Sequence, residues 1–194
     1  LLFENLEELD EAFIKKYSGK YTLPSGKAVP ISFNENDEAV LVLNDAETWK
    51  IFASSDADVP EQIEEFNQKS TKLLQAMKDQ DVAAATSLSG LSKEEVASFL
   101  PQFNDRVKSK VGVWKDSEVI GSVGRRKGAY HLTAVRISGE TTDMYRMLIW
   151  QGDHVLEFRP LPDGNTKTFG HENGNEFYSE SNNRRFRFEN DDQG

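Results

Sequence analysis

The chain has 194 residues, enough for one domain of ordinary size or two small ones, and its 37% apolar content, with 12 Phe, 5 Tyr and 3 Trp, supplies a packed core. Acidic residues outnumber basic ones 33 to 23, and the resulting net charge of -10 repels nucleic-acid phosphates and anionic lipid. The absence of cysteine excludes disulfides, thiolate nucleophiles and thiolate metal sites, and no apolar run approaches the ~18 residues that span a bilayer.

In chain order, Leu2, Leu6, Leu9 and Phe13 recur at helical spacing with acids between them and Lys15-Lys16 near the end, which predicts an amphipathic helix over 1–17. The period then changes. Tyr21, Val29 to Phe33 and Ala39 to Leu43 read as short strands joined by turns at Pro24-Ser25-Gly26 and Asn34 to Asp37, and Trp49, Ile51 and Phe52 read as another. Residues 53–58 form a junction, and Asp58 with Pro60 reads as a helix start. Ile63, Phe66, Leu73, Leu74 and Met77 make an apolar stripe. Asp81 caps a short helix over 82–88, and Ser92-Lys93-Glu94-Glu95 is a capping-box pattern before Val96, Phe99 and Leu100. Pro101 is expected to interrupt or kink that helix, with Phe103, Val107 and Val111 continuing its packing face.

From Val113 the pattern is strand-like: 117–123, 129–138, 141–150 and 154–159, separated by short glycine-containing turns that predict antiparallel pairing. The tail returns to short strands at 166–169, 176–178 and 185–188, divided by turns at Pro162-Asp163-Gly164, Asn173-Gly174 and Asn182-Asn183, with Phe186 and Phe188 on one face and Arg185 and Arg187 on the other. The expected class is α+β: helices packed on a curved antiparallel sheet over 58–160, plus a small β-rich, discontinuous unit from 1–57 with 161–194.

Tyr17-Ser18-Gly19-Lys20-Tyr21, with the tail from Leu161-Pro162-Asp163-Gly164 through Thr168-Phe169 to Arg185-Phe186-Arg187-Phe188-Glu189-Asn190-Asp191, resembles the accessory C-terminal domain of serine β-lactamase-like hydrolases. That resemblance implies a non-catalytic module whose partner domain carries the chemistry. The segment Leu73-Leu74-Gln75-Ala76-Met77 through Asp81-Val82-Ala83-Ala84-Ala85, followed by a helix and long strands, is similar to the cone-shaped nuclear transport factor 2-like superfamily, which includes both enzymes and binding modules. Interrupting a strand-rich unit at a turn is physically tolerable because its ends lie close together.

A cavity between such a sheet and its helices is expected to use some of Trp114, Tyr130, His131, Asp143, Tyr145, Arg146 and Trp150, because tryptophan and tyrosine give large rigid contact area. An acid–base reading pairs His131 or Tyr130 with Asp143 and Tyr145, since a carboxylate can hold an imidazole or polarise a phenol in a dry cleft; ordinary cross-strand pairing accounts for the same residues. No catalytic position is assigned. His131, His154 and His171 lie on separate segments without ligand spacing. Asn34 to Glu38 lacks the glycine and distal glutamate of a calcium loop and reads as a polar hairpin turn, and Arg125-Arg126-Lys127 reads as a solvated turn. Ser70-Thr71-Lys72 has no partner motif, and no phosphate loop occurs. No cofactor or metal is expected.

The leading expectation is a non-catalytic accessory or binding module, exported from a bacterium to the periplasm or beyond rather than cytoplasmic, that contacts a protein, peptide or small molecule. The Leu1 start reads as a processed or trimmed end. The alternatives are a small cavity enzyme (isomerase, dehydratase or hydrolase) and a structural module that forms a homodimer through its sheet.

Overall fold

The computed structural model describes residues 9–53, 60–161, 164–180 and 183–189. It is an α+β protein that divides into two compact units, Leu1–Ser55 with Thr166–Gly194, and Asp56–Asn165. Leu2, Leu6, Asp58, Pro162, Asp163, Asn182, Asn190 and Asp191 lie outside the described residues.

In the first unit, helix α1 spans Glu11–Tyr17; of the helix expected over 1–17, residues 9 and 10 are not helical and 1–8 lie outside the described residues. Asp10 has extended backbone, and its carboxylate accepts from the Phe13 amide at 2.6 Å and caps the first turn. Leu9 is outside the helix and donates its amide to Asp37 at 3.1 Å. Strands β1 (Gly19–Thr22), β2 (Ala28–Phe33) and β3 (Ala39–Val42) follow the expected turns. The segment of Trp49, Ile51 and Phe52 is not a strand but helix α2 (Ala46–Ala53). Asp45 accepts from the Glu47 and Thr48 amides at 3.0 and 3.1 Å, and this cap commits residues of high strand propensity to a helix that buries Trp49 and Ala53 on one face. Strands β8 (Thr166–Asn173), β9 (Glu176–Ser179) and β10 (Arg184–Arg187) complete one antiparallel sheet in the order β1-β2-β3-β8-β9-β10. The β3–β8 ladder, Ala39 opposite Phe169 to Val42 opposite Thr166, joins the two ends of the chain. Phe169 and Phe177 are fully buried at the centre of this sheet, with Phe13, Phe33, Phe186 and Phe188 packed around Phe177 at ring separations of 5.3 to 6.2 Å.

In the second unit, helices α3 (Pro60–Lys78), α4 (Val82–Ser89) and α5 (Lys93–Val111) precede a meander of β4 (Asp116–Arg125), β5 (Tyr130–Ser138), β6 (Asp143–Gln151) and β7 (His154–Pro160). The sheet runs β4-β5-β6-β7, antiparallel throughout, with bulges after Val119 and Ile149 that bend it. The apolar stripes of the helices meet one sheet face: Phe66, Leu73, Leu74, Met77, Val96, Leu100, Phe103, Val107 and Val111 pack with Val135, Ile137, Leu148 and Trp150. Pro101 does not end α5. It stands on the exposed side, so the carbonyl it leaves unbonded faces solvent, while buried Leu100 and Phe103 hold both halves against the core.

The capping box of α5 forms as expected. Glu95 accepts from the Ser92 hydroxyl at 2.7 Å and from its amide at 2.8 Å, and these bonds hold the Glu95 carboxyl below the usual carboxylate range. A depressed carboxyl contributes stability that is complete above the unfolded value, about 4.3, and is lost as pH falls through the lower folded value. Amide shifts of the first turn, Lys93 to Val96, should therefore hold steady down to about pH 5 and move toward frayed values below it. Glu95→Gln should flatten that profile, and an unchanged profile in the variant would assign it to another group.

Candidate functional site

The helix-facing side of β6 and β7 does not meet the helices everywhere. A cavity of about 180 Å³ remains among Leu73 and Met77 of α3, Ala85 and Ser89 of α4, Val96 and Leu100 of α5, Leu148 of β6 and Val155 to Phe158 of β7. The cause is local: α4 runs Val82-Ala83-Ala84-Ala85-Thr86-Ser87-Leu88-Ser89, and its small Ala85 and Ser89, four residues apart and so on one face, are too short to reach the sheet. Phe99 and Leu156 stand at the rim with 36% and 50% of their surfaces exposed, an apolar doorway into an apolar space.

One end of the cavity is fastened by polar contacts. The Gly90 carbonyl accepts from His154 Nδ1 at 2.9 Å, and Lys69 Nζ donates to the Asp153 carboxylate at 2.7 Å and its carbonyl at 3.2 Å. The Lys69 bond and charge hold the Asp153 carboxyl below its usual range. Gly90 ends α4 in the left-handed region, φ 70°, and a Cβ there would stand 2.6 Å from the His154 ring, so both the turn and the close approach require glycine.

The seven residues expected to line a pocket are not one constellation, and none of them lines this cavity. His131, Arg146 and Trp150 point toward the helices. The His131 ring stacks on Phe66 at 4.0 Å and sits opposite Trp150 in the β5–β6 register. Arg146 is buried, lies over the Phe103 and Phe158 rings at 5.8 and 5.1 Å, and donates to the Phe158 carbonyl. Burial, then the charge of Arg106, pulls its pKa down from the ordinary guanidinium value. Trp114 is edge-on to Phe103 at 6.0 Å and donates its indole N–H to the Asp116 carbonyl at 3.0 Å. Tyr130, Asp143 and Tyr145 are on the opposite sheet face: Arg126 covers the Tyr130 ring at 5.6 Å, Arg136 lies 3.9 Å from the exposed Asp143 carboxylate, and the Tyr145 ring lies against Gly164.

His131 and Asp143 therefore do not meet. They occupy opposite faces, and the register that places His131 beside Trp150 places Asp143 beside Ser138 at the far end of β6. Among the described residues, no group of three His, Cys, Asp or Glu side chains is placed to hold a metal ion, and no helix is long and apolar enough to cross a membrane. The lining residues Leu73, Met77, Val96 and Leu100 belong to stripes that read simply as core; the signal that marks a gap beside them is the alanine and serine content of α4.

No protein-family profile, curated protein or solved structure matches the chain.

Proposed function

We propose that this protein is a non-catalytic binding module whose helix-and-sheet unit takes up a small apolar ligand, or an apolar side chain of a partner protein or peptide, in the cavity beneath α4. The single observation that carries the reading is the lining, which is apolar apart from Ser89 and Glu157. A space of about 180 Å³ suits an occupant of roughly the size of a benzene or indole ring, since apolar cavities of comparable volume bind such rings. Such a site offers affinity through displaced water and dispersion contacts. The resemblance of the segment around 73–85 to nuclear transport factor 2-like modules, and of the chain ends to the accessory C-terminal domain of serine β-lactamase-like hydrolases, supports a protein that serves a partner's chemistry.

The test is cavity filling. Benzene and indole, followed by ligand-observed NMR and by thermal shift, should bind the full chain and raise its melting temperature in proportion to occupancy. Ala85→Leu places a branched side chain in the space and should weaken binding about tenfold or more, the result of losing roughly 1.4 kcal/mol or more of contact. Equal binding to both proteins, or none to either, would remove the cavity from the argument.

A further inference from the structure

The sheet of the first unit leaves a seam. Its terminal strands are β1 and β10, and among the described residues neither pairs on its outer side. The sheet nevertheless curls so that its ends approach each other: Phe188, just past β10, stacks on Tyr17 at 4.6 Å and lies 5.5 Å from Tyr21 of β1. Rings bridge the gap where a closed barrel would have a ladder. An open groove of about 500 Å³ lies there, floored by Val29, Ile31, Phe52 and Phe186 and edged by Lys16, Arg187 and Glu189.

The backbone of β1 faces this opening. The Leu23 amide donates to the Lys27 carbonyl at 2.7 Å, so the alternation of antiparallel pairing turns the Lys20 and Thr22 amides to the open side. The same alternation sends Tyr21 toward the groove and Lys20 away from it. On β10, Phe186 points inward and Arg185 and Arg187 outward. The Tyr21 phenol donates to the Tyr17 carbonyl at 2.8 Å, and burial, then Tyr17, raises its pKa.

We propose that the seam between β1 and β10 binds an extended acidic segment of a partner polypeptide, which adds to the sheet edge as a further strand. Three observations on different levels agree on this occupant. An unpaired strand edge offers backbone donors and acceptors at strand spacing, which an extended peptide satisfies. The apolar floor takes every second side chain of that peptide. The outer faces of both edges carry Lys20, Arg185 and Arg187, with Lys16 at the mouth, so the alternate side chains meet positive charge on a protein whose net charge is -10. Glu172 and Glu189 pair with Arg185 and Arg187, which leaves the lysine side as the stronger attraction for a carboxylate. This site is in the other unit from the cavity and stands whether or not the cavity binds a ring.

The experiment uses the full chain and a dye-labelled heptapeptide in which glutamates alternate with valine and phenylalanine. Fluorescence anisotropy should show saturable binding that weakens with salt. Methylating alternate backbone nitrogens of the peptide, which blocks strand pairing but keeps every side chain, should weaken it about tenfold or more, as the loss of two or three hydrogen bonds requires. The double variant Lys16→Glu, Lys20→Glu should weaken the acidic peptide severalfold and leave a glutamine version nearly unaffected. Hydrogen exchange at the Lys20 and Thr22 amides should slow on saturation. Binding that ignores backbone methylation would mean that the groove reads side chains alone. That result, or no binding at millimolar peptide, overturns the proposal.

Discussion

Replacing Trp150 by alanine should destabilise the helix-and-sheet unit by about 3–5 kcal/mol, the range for removing a fully buried large aromatic side chain. Trp150 is 0% exposed on the inner face of β6, where it packs 5.7 Å from the Phe66 ring, beside His131, with Lys69 Nζ 5.0 Å from its own ring. Its removal opens a void between α3 and the sheet that the neighbouring elements cannot close. Those neighbours are pinned: the His131 ring is stacked on Phe66, and Lys69 is tied to Asp153. The helix and the sheet thus lose a shared anchor. The check is urea unfolding followed through amide exchange of β5 and β6, which reports this unit by itself, since two compact units need not unfold together. Val113→Ala, at a position 61% exposed, should change stability by no more than about 0.5 kcal/mol. A Trp150→Ala cost below about 1 kcal/mol would mean that the core is more loosely packed than these contacts show.

The second large effect lies at a glycine that no turn signal distinguishes from its fellows. Gly139→Ala should destabilise the same unit by about 3 kcal/mol, at the upper end for overpacking, because nothing nearby can yield. A Cβ at Gly139 would fall on the Val111 carbonyl oxygen and 2.5 Å from the Val111 Cβ. Val111 is fully buried at the last turn of α5, and its carbonyl already accepts from the Thr141 amide at 3.0 Å, so the β5–β6 turn is docked backbone to backbone on the helix end. Gly152→Ala is the comparison: that residue has φ 54° but open space around its Cα, so only the left-handed backbone penalty applies, about 1 kcal/mol. Melting temperatures of the two variants, measured side by side, should differ by several degrees. Equal shifts would show that the turn moves off the helix at little cost.

Periodicity read the second unit well, and for a physical reason. Helices α3 and α5 are long and one-sided, so their stripes appear at spacings of three and four whatever they pack against, and the capping residues Asp81 and Ser92 act within a single turn. The strands of the meander are bounded by glycine turns that are equally local. The exceptions were elements where two local preferences competed. Trp49, Ile51 and Phe52 favour strand by type, but Asp45 caps a helix ahead of them and burial of Trp49 with Ala53 rewards it. Pro101 breaks a helix in isolation, yet the buried residues on either side of it, Leu100 and Phe103, outweigh one missing bond on the wet side.

The candidate site divides along the same line. A strand's alternation sorts His131 from Tyr130 and Arg146 from Tyr145 but does not say which set turns inward, because both faces of β5 and β6 carry apolar and polar side chains. The inward choice of His131, Arg146 and Trp150 is made by the helices that cover one face, through contacts remote in sequence. The cavity is harder still to read, being made by what Ala85 and Ser89 lack rather than by what any residue supplies. Class, the faces of α3 and α5, most turns and the acidic balance are legible in the chain alone, since they depend on neighbours a few residues away. The covered strand face, the space beside the small side chains of α4 and the approach of β1 and β10 across an open seam are set by residues far apart in the chain that meet only on folding.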